Sequence, residues 1–113
     1  MTDTCLFCRI VSGDIPAARV MEDEHCIAFR DINPHAPTHV LVIPRAHLAS
    51  LNDATDAAVI GRVLLMAAAV ARQEGVATTG YRTVLNTNGH GGQTVFHLHA
   101  HVLGGRPLAW PPG

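Results

Sequence analysis

The chain has no basic run, and its formal net charge is only -1. That excludes nucleic acid or an anionic membrane as its main partner. No apolar stretch is long enough to span a bilayer. The opening residues, Met1-Thr2-Asp3-Thr4-Cys5, are polar and acidic, unlike a secretory signal. There are three cysteines, an odd number. They argue against a disulfide framework and for a reducing, cytoplasmic home. Internal repeats, low-complexity tracts and linkers are all missing. What remains is 113 residues of 48% hydrophobic composition. That suits a single domain over residues 1–113 with one core.

Histidine is the surplus: eight, against eight Lys and Arg together. It is a common catalytic base, nucleophile or metal ligand at neutral pH, so the excess points to chemistry. Three histidines recur at every second position in His97-Leu98-His99-Ala100-His101, flanked by Phe96, Val102 and Leu103. A period of two is that of a strand, with imidazoles on one face and apolar residues on the other. A helix would turn His99 away from His97 and His101. The spacing predicts a strand over 97–103.

The remaining elements follow from pattern. Residues 5–12 read as a short helix ended by Gly13. Strands are expected over 19–22 and 25–31, joined at Asp23-Glu24. Pro34 and Pro37 make 33–37 a loop. The run Val40-Leu41-Val42-Ile43 within 38–44 reads as a central strand buried on both faces. One long helix is expected over 53–74, capped by Asn52 or Asp53 and stopped by Gly75. Ile60, Val63, Ala67 and Val70 share its apolar face, which Leu64 and Ala71 widen. That is more apolar surface than a half-buried stripe, so the helix is either deeply buried or also packed against a second copy. A further strand covers 81–86, and the glycine-rich loop 87–92 leads into the histidines. One long helix among about five strands joined by short turns is an α+β pattern with an antiparallel sheet.

Two chemistries fit the histidine row. The rings could share a catalytic metal such as Zn²⁺. Alternatively, one neutral imidazole is a nucleophile whose second nitrogen is held as N–H. The neighbouring loop favours the second. Gly89, Gly91 and Gly92 let main-chain N–H groups approach a phosphate, and Gln93 and Thr94 add donors. A phosphate cradle beside histidines points to phosphoryl or nucleotidyl transfer.

The stretch from Gly92 through Gln93, Thr94, Val95, Phe96, His97, Leu98, His99, Ala100 and His101 to Leu103 resembles the signature of the histidine triad superfamily. Phe7 with Ile10, Asp31-Ile32, Ala36-Pro37-Thr38-His39, Val42-Ile43-Pro44-Arg45-Ala46-His47 and Trp110-Pro111-Pro112-Gly113 match it in order. The similarity is greatest to the nucleotide-binding (Hint) branch, whose members are purine nucleoside phosphoramidases and typically homodimers.

The resemblance implies that branch's fold and assigns roles to residues. His99 is the nucleophile on the α-phosphorus, and His101 bonds the phosphate oxygens. His97 and His39 stand behind them as a relay. Asn86, Gln93 and Thr94 sit on the phosphate side, with Gly92 and Val95 beside them, and Asp31 accepts the ribose hydroxyls. Phe7, Ile10, Ile15, Phe29 and Ile32 form an apolar slot for a purine, whether of AMP, GMP or a phosphoramidate. The chemistry itself requires no cofactor.

Cys5-x-x-Cys8 is a pair at zinc spacing, and a closed site needs two more ligands. His47 is one candidate. Zinc-bearing relatives also use a histidine at the place of His97, which implies a structural Zn²⁺ on Cys5, Cys8, His47 and His97. The chain departs here from its branch, whose members with the Trp-Pro-Pro-Gly ending often lack the cysteine pair.

Plainer readings stand beside these. His25, His35 and His90 are solvent-exposed, Cys26 fills core space, and Trp110 is a terminal anchor. Rival functions are a dinucleoside polyphosphate hydrolase, a nucleotide-binding regulatory protein and a metal-dependent hydrolase.

Overall fold

A computed structural model describes residues 4–113. The reading of Met1, Thr2 and Asp3 lies outside the described residues. The elements run α1 (Leu6–Ser12), β1 (Arg19–Glu22), β2 (Cys26–Arg30), β3 (Thr38–Pro44), α2 (Ala57–Gln73), β4 (Tyr81–Val84), α3 (Asn88–Gly91) and β5 (Ala100–Gly104). The strands form one antiparallel sheet in the order β1-β2-β3-β5-β4. The α+β expectation holds.

β3 lies at the centre, and all seven of its residues are buried. The pleat sends alternate residues to opposite faces. Val40 and Val42 join Ala28, Ala100 and Val102 in a core roofed by Val63, Met66, Ala67, Val70 and Ala71 of α2. Leu41 and Ile43 join Ile27 and Phe29 beneath Phe7 and Ile10 of α1. An apolar β-branched run is therefore what a strand covered on both faces needs.

α1 begins at Cys5, whose Sγ accepts the Cys8 N–H, and ends at Gly13 with φ +88°. The left-handed stop is glycine's usual task. Three boundaries differ by two residues or more from those predicted. α2 starts at Ala57 rather than residue 53, because Asp56 caps the Ala58 N–H. Leu51–Asp53 is a separate 3₁₀ turn capped by Ser50. β4 stops at Val84, and β5 begins only at Ala100. Leu64 and Leu65 of α2 point outward, at 41% and 73% exposure, so the apolar excess is not all core. Among the described residues no helix is long and apolar enough to cross a membrane.

Candidate active site

The α1 face of the sheet carries the site. His101 stands opposite Leu41 and Val84, and Leu103 opposite His39 and Arg82. Residues paired across strands share a face, so His39 and His101 are neighbours. His97 and His99 precede β5. Their segment is held instead by the loop after β3, through Leu98 N–H to the Leu48 carbonyl at 2.7 Å.

Ring hydrogen bonds decide what each imidazole offers. A neutral ring has one N–H and one lone pair, so a partner on one nitrogen fixes the other. The His99 Nδ1 donates to its neighbour's carbonyl, His97 O, at 2.8 Å. Its Nε2 therefore keeps the lone pair. The His35 main-chain N–H donates to His39 Nδ1 at 3.0 Å. His39 must then carry its proton on Nε2, which donates to His101 Nδ1 at 2.9 Å. His101 in turn keeps an N–H on Nε2. The site holds a bare lone pair on His99 beside a donor on His101, with ring centroids 5.0 Å apart. Phe7 packs edge-on against His99 at 5.2 Å.

Burial makes these rings neutral. It is the main cause lowering the pKa values of His39, His97 and His99. His101 is pushed down to about 4 by burial first, then by the neighbouring His99 and His39.

Two chambers meet at these rings. One, of about 530 Å³, is mainly apolar and is lined by Phe7, Ile10, Ile15, Phe29, Leu41 and Val95, with Ile32 at its rim. The other, about 510 Å³, is more polar than the first, and its lining includes Asn33, His35, Arg82, Asn86, Gly92 and Thr94. Asp31, Thr94, His99 and His101 line both. One Asp31 carboxylate oxygen accepts the Asn33 N–H at 2.8 Å, and the other lies 3.4 Å from His39 Nε2. Ile32 is fully exposed, so that wall of the apolar chamber stands open.

Gln93 and the glycine loop depart from expectation. Gln93 lines neither chamber. Its amide spans Ala49 O and Val95 O while its oxygen accepts Asn88 N–H, so it fastens the loop. The glycine loop is one helical turn whose Gly92 N–H is spent on Gly89 O at 3.0 Å. That one donor is therefore not offered to a phosphate.

His97 faces away from both chambers. Its Nε2 donates to the Pro44 carbonyl at 2.8 Å, leaving Nδ1 as a lone pair. That nitrogen lies 3.1 Å from His47 Nδ1, 3.4 Å from Cys8 Sγ and 3.5 Å from Cys5 Sγ. Cys8 Sγ and His47 Nδ1 are 3.3 Å apart. Around a tetrahedral Zn²⁺, ligand atoms stand roughly 3.3–3.8 Å from one another. The four residues therefore fit a zinc ion, and a main-chain carbonyl already holds the His97 tautomer that this needs.

Asp31, His39 and His101 also gather ligand atoms within 4.8 Å. There the His35 N–H occupies His39 Nδ1 and commits Nε2 to a proton. That cluster is wired for protons rather than for a cation.

From the sequence, His35 has only a solvent-exposed place. Its side chain is exposed, but its main-chain N–H sets the His39 tautomer. Residue type carries no signal for such a role.

A model of the HIT domain family matches residues 12–108, and the chain belongs to that family. The chain is 47% identical to the purine nucleoside phosphoramidase of Escherichia coli, over 96% of this chain and 92% of that protein. A HIT family hydrolase from Legionella pneumophila superposes with a TM-score of 0.93 at 50% identity, covering 96% and 99% of the two chains. A Zn-bound histidine triad family protein from Mycobacterium smegmatis superposes with a TM-score of 0.80 at 37% identity, covering 94% and 78%.

The neutral rings imply a pH dependence. Histidines whose folded pKa lies below the ordinary 6.5 bind protons more readily when unfolded. Stability from His39 and His101 is thus fully present above pH ~6.5 and lost as pH falls toward the folded values. Urea midpoints measured from pH 7.5 down should stay level to about 6.5 and then decline. A level midpoint down to about pH 4 would show that neither ring is held neutral by the fold.

Proposed function

We propose that this chain is a hydrolase of purine nucleoside 5′-phosphoramidates, of the phosphoramidase type found in the nucleotide-binding branch of its family. The observation that carries this reading is the unencumbered His99 Nε2 at the junction of the two chambers. The base lies in the apolar chamber, and Asp31 accepts the ribose hydroxyls. The phosphoramidate reaches the polar chamber, with its amine beyond the phosphorus from His99.

His99 Nε2 donates its lone pair to the α-phosphorus while the P–N bond breaks. That electron pair leaves on the amine nitrogen, which takes up a proton from water. His101 Nε2–H donates to a phosphate oxygen as charge builds there. Water then attacks the nucleotidyl-imidazole. Its oxygen joins phosphorus, its proton passes to solvent, and His99 regains its lone pair as the monophosphate departs. Holding the reacting groups in line contributes to the acceleration. The 47% identity to a purine nucleoside phosphoramidase supports the substrate class.

We place one structural Zn²⁺ on Cys5, Cys8, His47 and His97, outside the chemistry. Zinc ties α1 to the segment that carries the nucleophile. Burial, with Cys5 beside it, pushes the bare Cys8 thiol up to about 11, so binding must expel its proton. We further take residues 1–113 as one domain, and the cytoplasm as the compartment that keeps these thiols reduced. The same reading makes the protein a homodimer through α2 and the edge strand β4, where Leu64, Leu65 and Tyr81 are exposed. An exposed edge with an apolar flank is a natural pairing surface.

Three measurements test this. His99→Ala should lower turnover of adenosine 5′-phosphoramidate by at least about a thousandfold while AMP still binds. Near-normal turnover in that variant defeats the assignment. Elemental analysis should find about one zinc per chain, lost in Cys8→Ala, with wild-type turnover insensitive to brief chelation. Two zincs per chain, or none, contradict the metal assignment. Light scattering at micromolar protein should give twice the mass of the chain, and a monomer mass refutes the dimer.

A further inference from the structure

We propose that Arg106 is a positioning residue that sets the polarity of His101 from outside the site. Arg106 follows β5 and touches neither chamber. Its Nη2 donates to the His35 carbonyl at 2.8 Å, and its Nη1 donates to Pro107 O at 3.1 Å. The turn beneath it is pressed against the loop it holds. At Gly105, with φ +92°, an added Cβ would lie 2.8 Å from the Pro37 Cβ. Only glycine allows that approach.

The loop needs such a tie. Pro34 and Pro37 lack N–H groups, so the segment has few main-chain donors with which to hold itself. The Asn33 N–H is taken by Asp31. The His35 N–H is the one aimed at His39 Nδ1. A guanidinium on the His35 carbonyl keeps that N–H in place.

The consequence reaches the site through two rings. While the His35 N–H occupies His39 Nδ1, the proton stays on His39 Nε2, and His101 presents Nε2–H to the polar chamber. If the loop moves away, His39 Nδ1 is free to take the proton. His39 Nε2 then becomes an acceptor, His101 donates from Nδ1, and its Nε2 turns a lone pair toward the chamber. No net proton is gained or lost, but a donor has become an acceptor facing an anionic phosphate oxygen. The effect on turnover rests on the phosphate role proposed for His101; the tautomer does not.

The test uses full-length wild type, Arg106→Ala and Arg106→Lys, uniformly labelled with ¹⁵N and free of ligand. Histidine nitrogen spectra distinguish N–H from lone-pair nitrogens. In Arg106→Ala the His101 Nε2 signal should move from the N–H position toward the lone-pair position. Arg106→Lys, which still donates to the His35 carbonyl, should move it back. Turnover of adenosine 5′-phosphoramidate should fall roughly ten- to hundredfold in kcat for the alanine variant, with KM little changed, the scale on which partners behind a functional histidine act. An unchanged His101 signal in Arg106→Ala overturns the proposal, whatever the activity does. A moved signal with unchanged kcat upholds the positioning and instead defeats the phosphate role of His101.

Discussion

Every working imidazole in this protein has one ring nitrogen tied into a fixed hydrogen bond, and the rest of the site depends on that constraint. Pro44 O takes the Nε2 proton of His97, His97 O takes the Nδ1 proton of His99, and His35 N–H fills Nδ1 of His39. A ring nitrogen shut away from both water and a partner costs about 1–3 kcal/mol. These three partners are main-chain atoms held by the sheet and its loops, and His101 takes its tautomer from His39 in turn, so the tautomers are properties of the fold. Cys5, Cys8, His47 and His97 gather around a lone pair, whereas Asp31, His39 and His101 gather around a proton. Similar side chains thus form a cation-binding geometry in one place and a proton wire in another.

His97 joins the two. Its side chain belongs to the cysteine cluster and its carbonyl orients His99. α1 closes the same circuit from the other side. It brings Cys8 to the cluster and sets Phe7 edge-on against both His97 and His99. A seven-residue helix is too short to be stable alone. Its place is held by the apolar cluster under β2 and β3 and by the cysteine–histidine group, and in return it walls the apolar chamber.

The sequence made β3, α1 with its Gly13 stop, and the α+β layout legible, because β-branched runs and left-handed glycines act locally. It extended the triad strand too far. Alternation continues back to His97, but pairing with β3 ends at Ala100, and nothing local marks where a partner strand runs out. The start of α2 was misplaced because Asn52, Asp53 and Asp56 are all competent caps. Leu64 could have been core or contact surface, because periodicity reports apolar faces, not what covers them. Gln93 looked like a phosphate donor because its type permits it, and only tertiary contacts reveal that its amide is already spent. The least legible contributors were the His35 N–H and the Pro44 and His97 carbonyls, since any residue type supplies a main-chain atom.

The electrostatics of the site bear on the choice between phosphoramidates and dinucleoside polyphosphates. Protonating both His99 and His101 would place two charges in rings 5.0 Å apart and largely out of water, so the site works with neutral donors. Of the arginines near the two chambers, Arg30 is neutralised by paired bonds to Glu74. Arg82 lends one N–H to Ala109 O and lies 6.0 Å from the Trp110 ring. A single guanidinium and a few N–H dipoles match a phosphoramidate monoester, which carries one negative charge. A polyphosphate bridge carries several, and desolvating each without a matching positive side chain is costly. The sparing supply of positive charge is in keeping with the phosphoramidate proposed above.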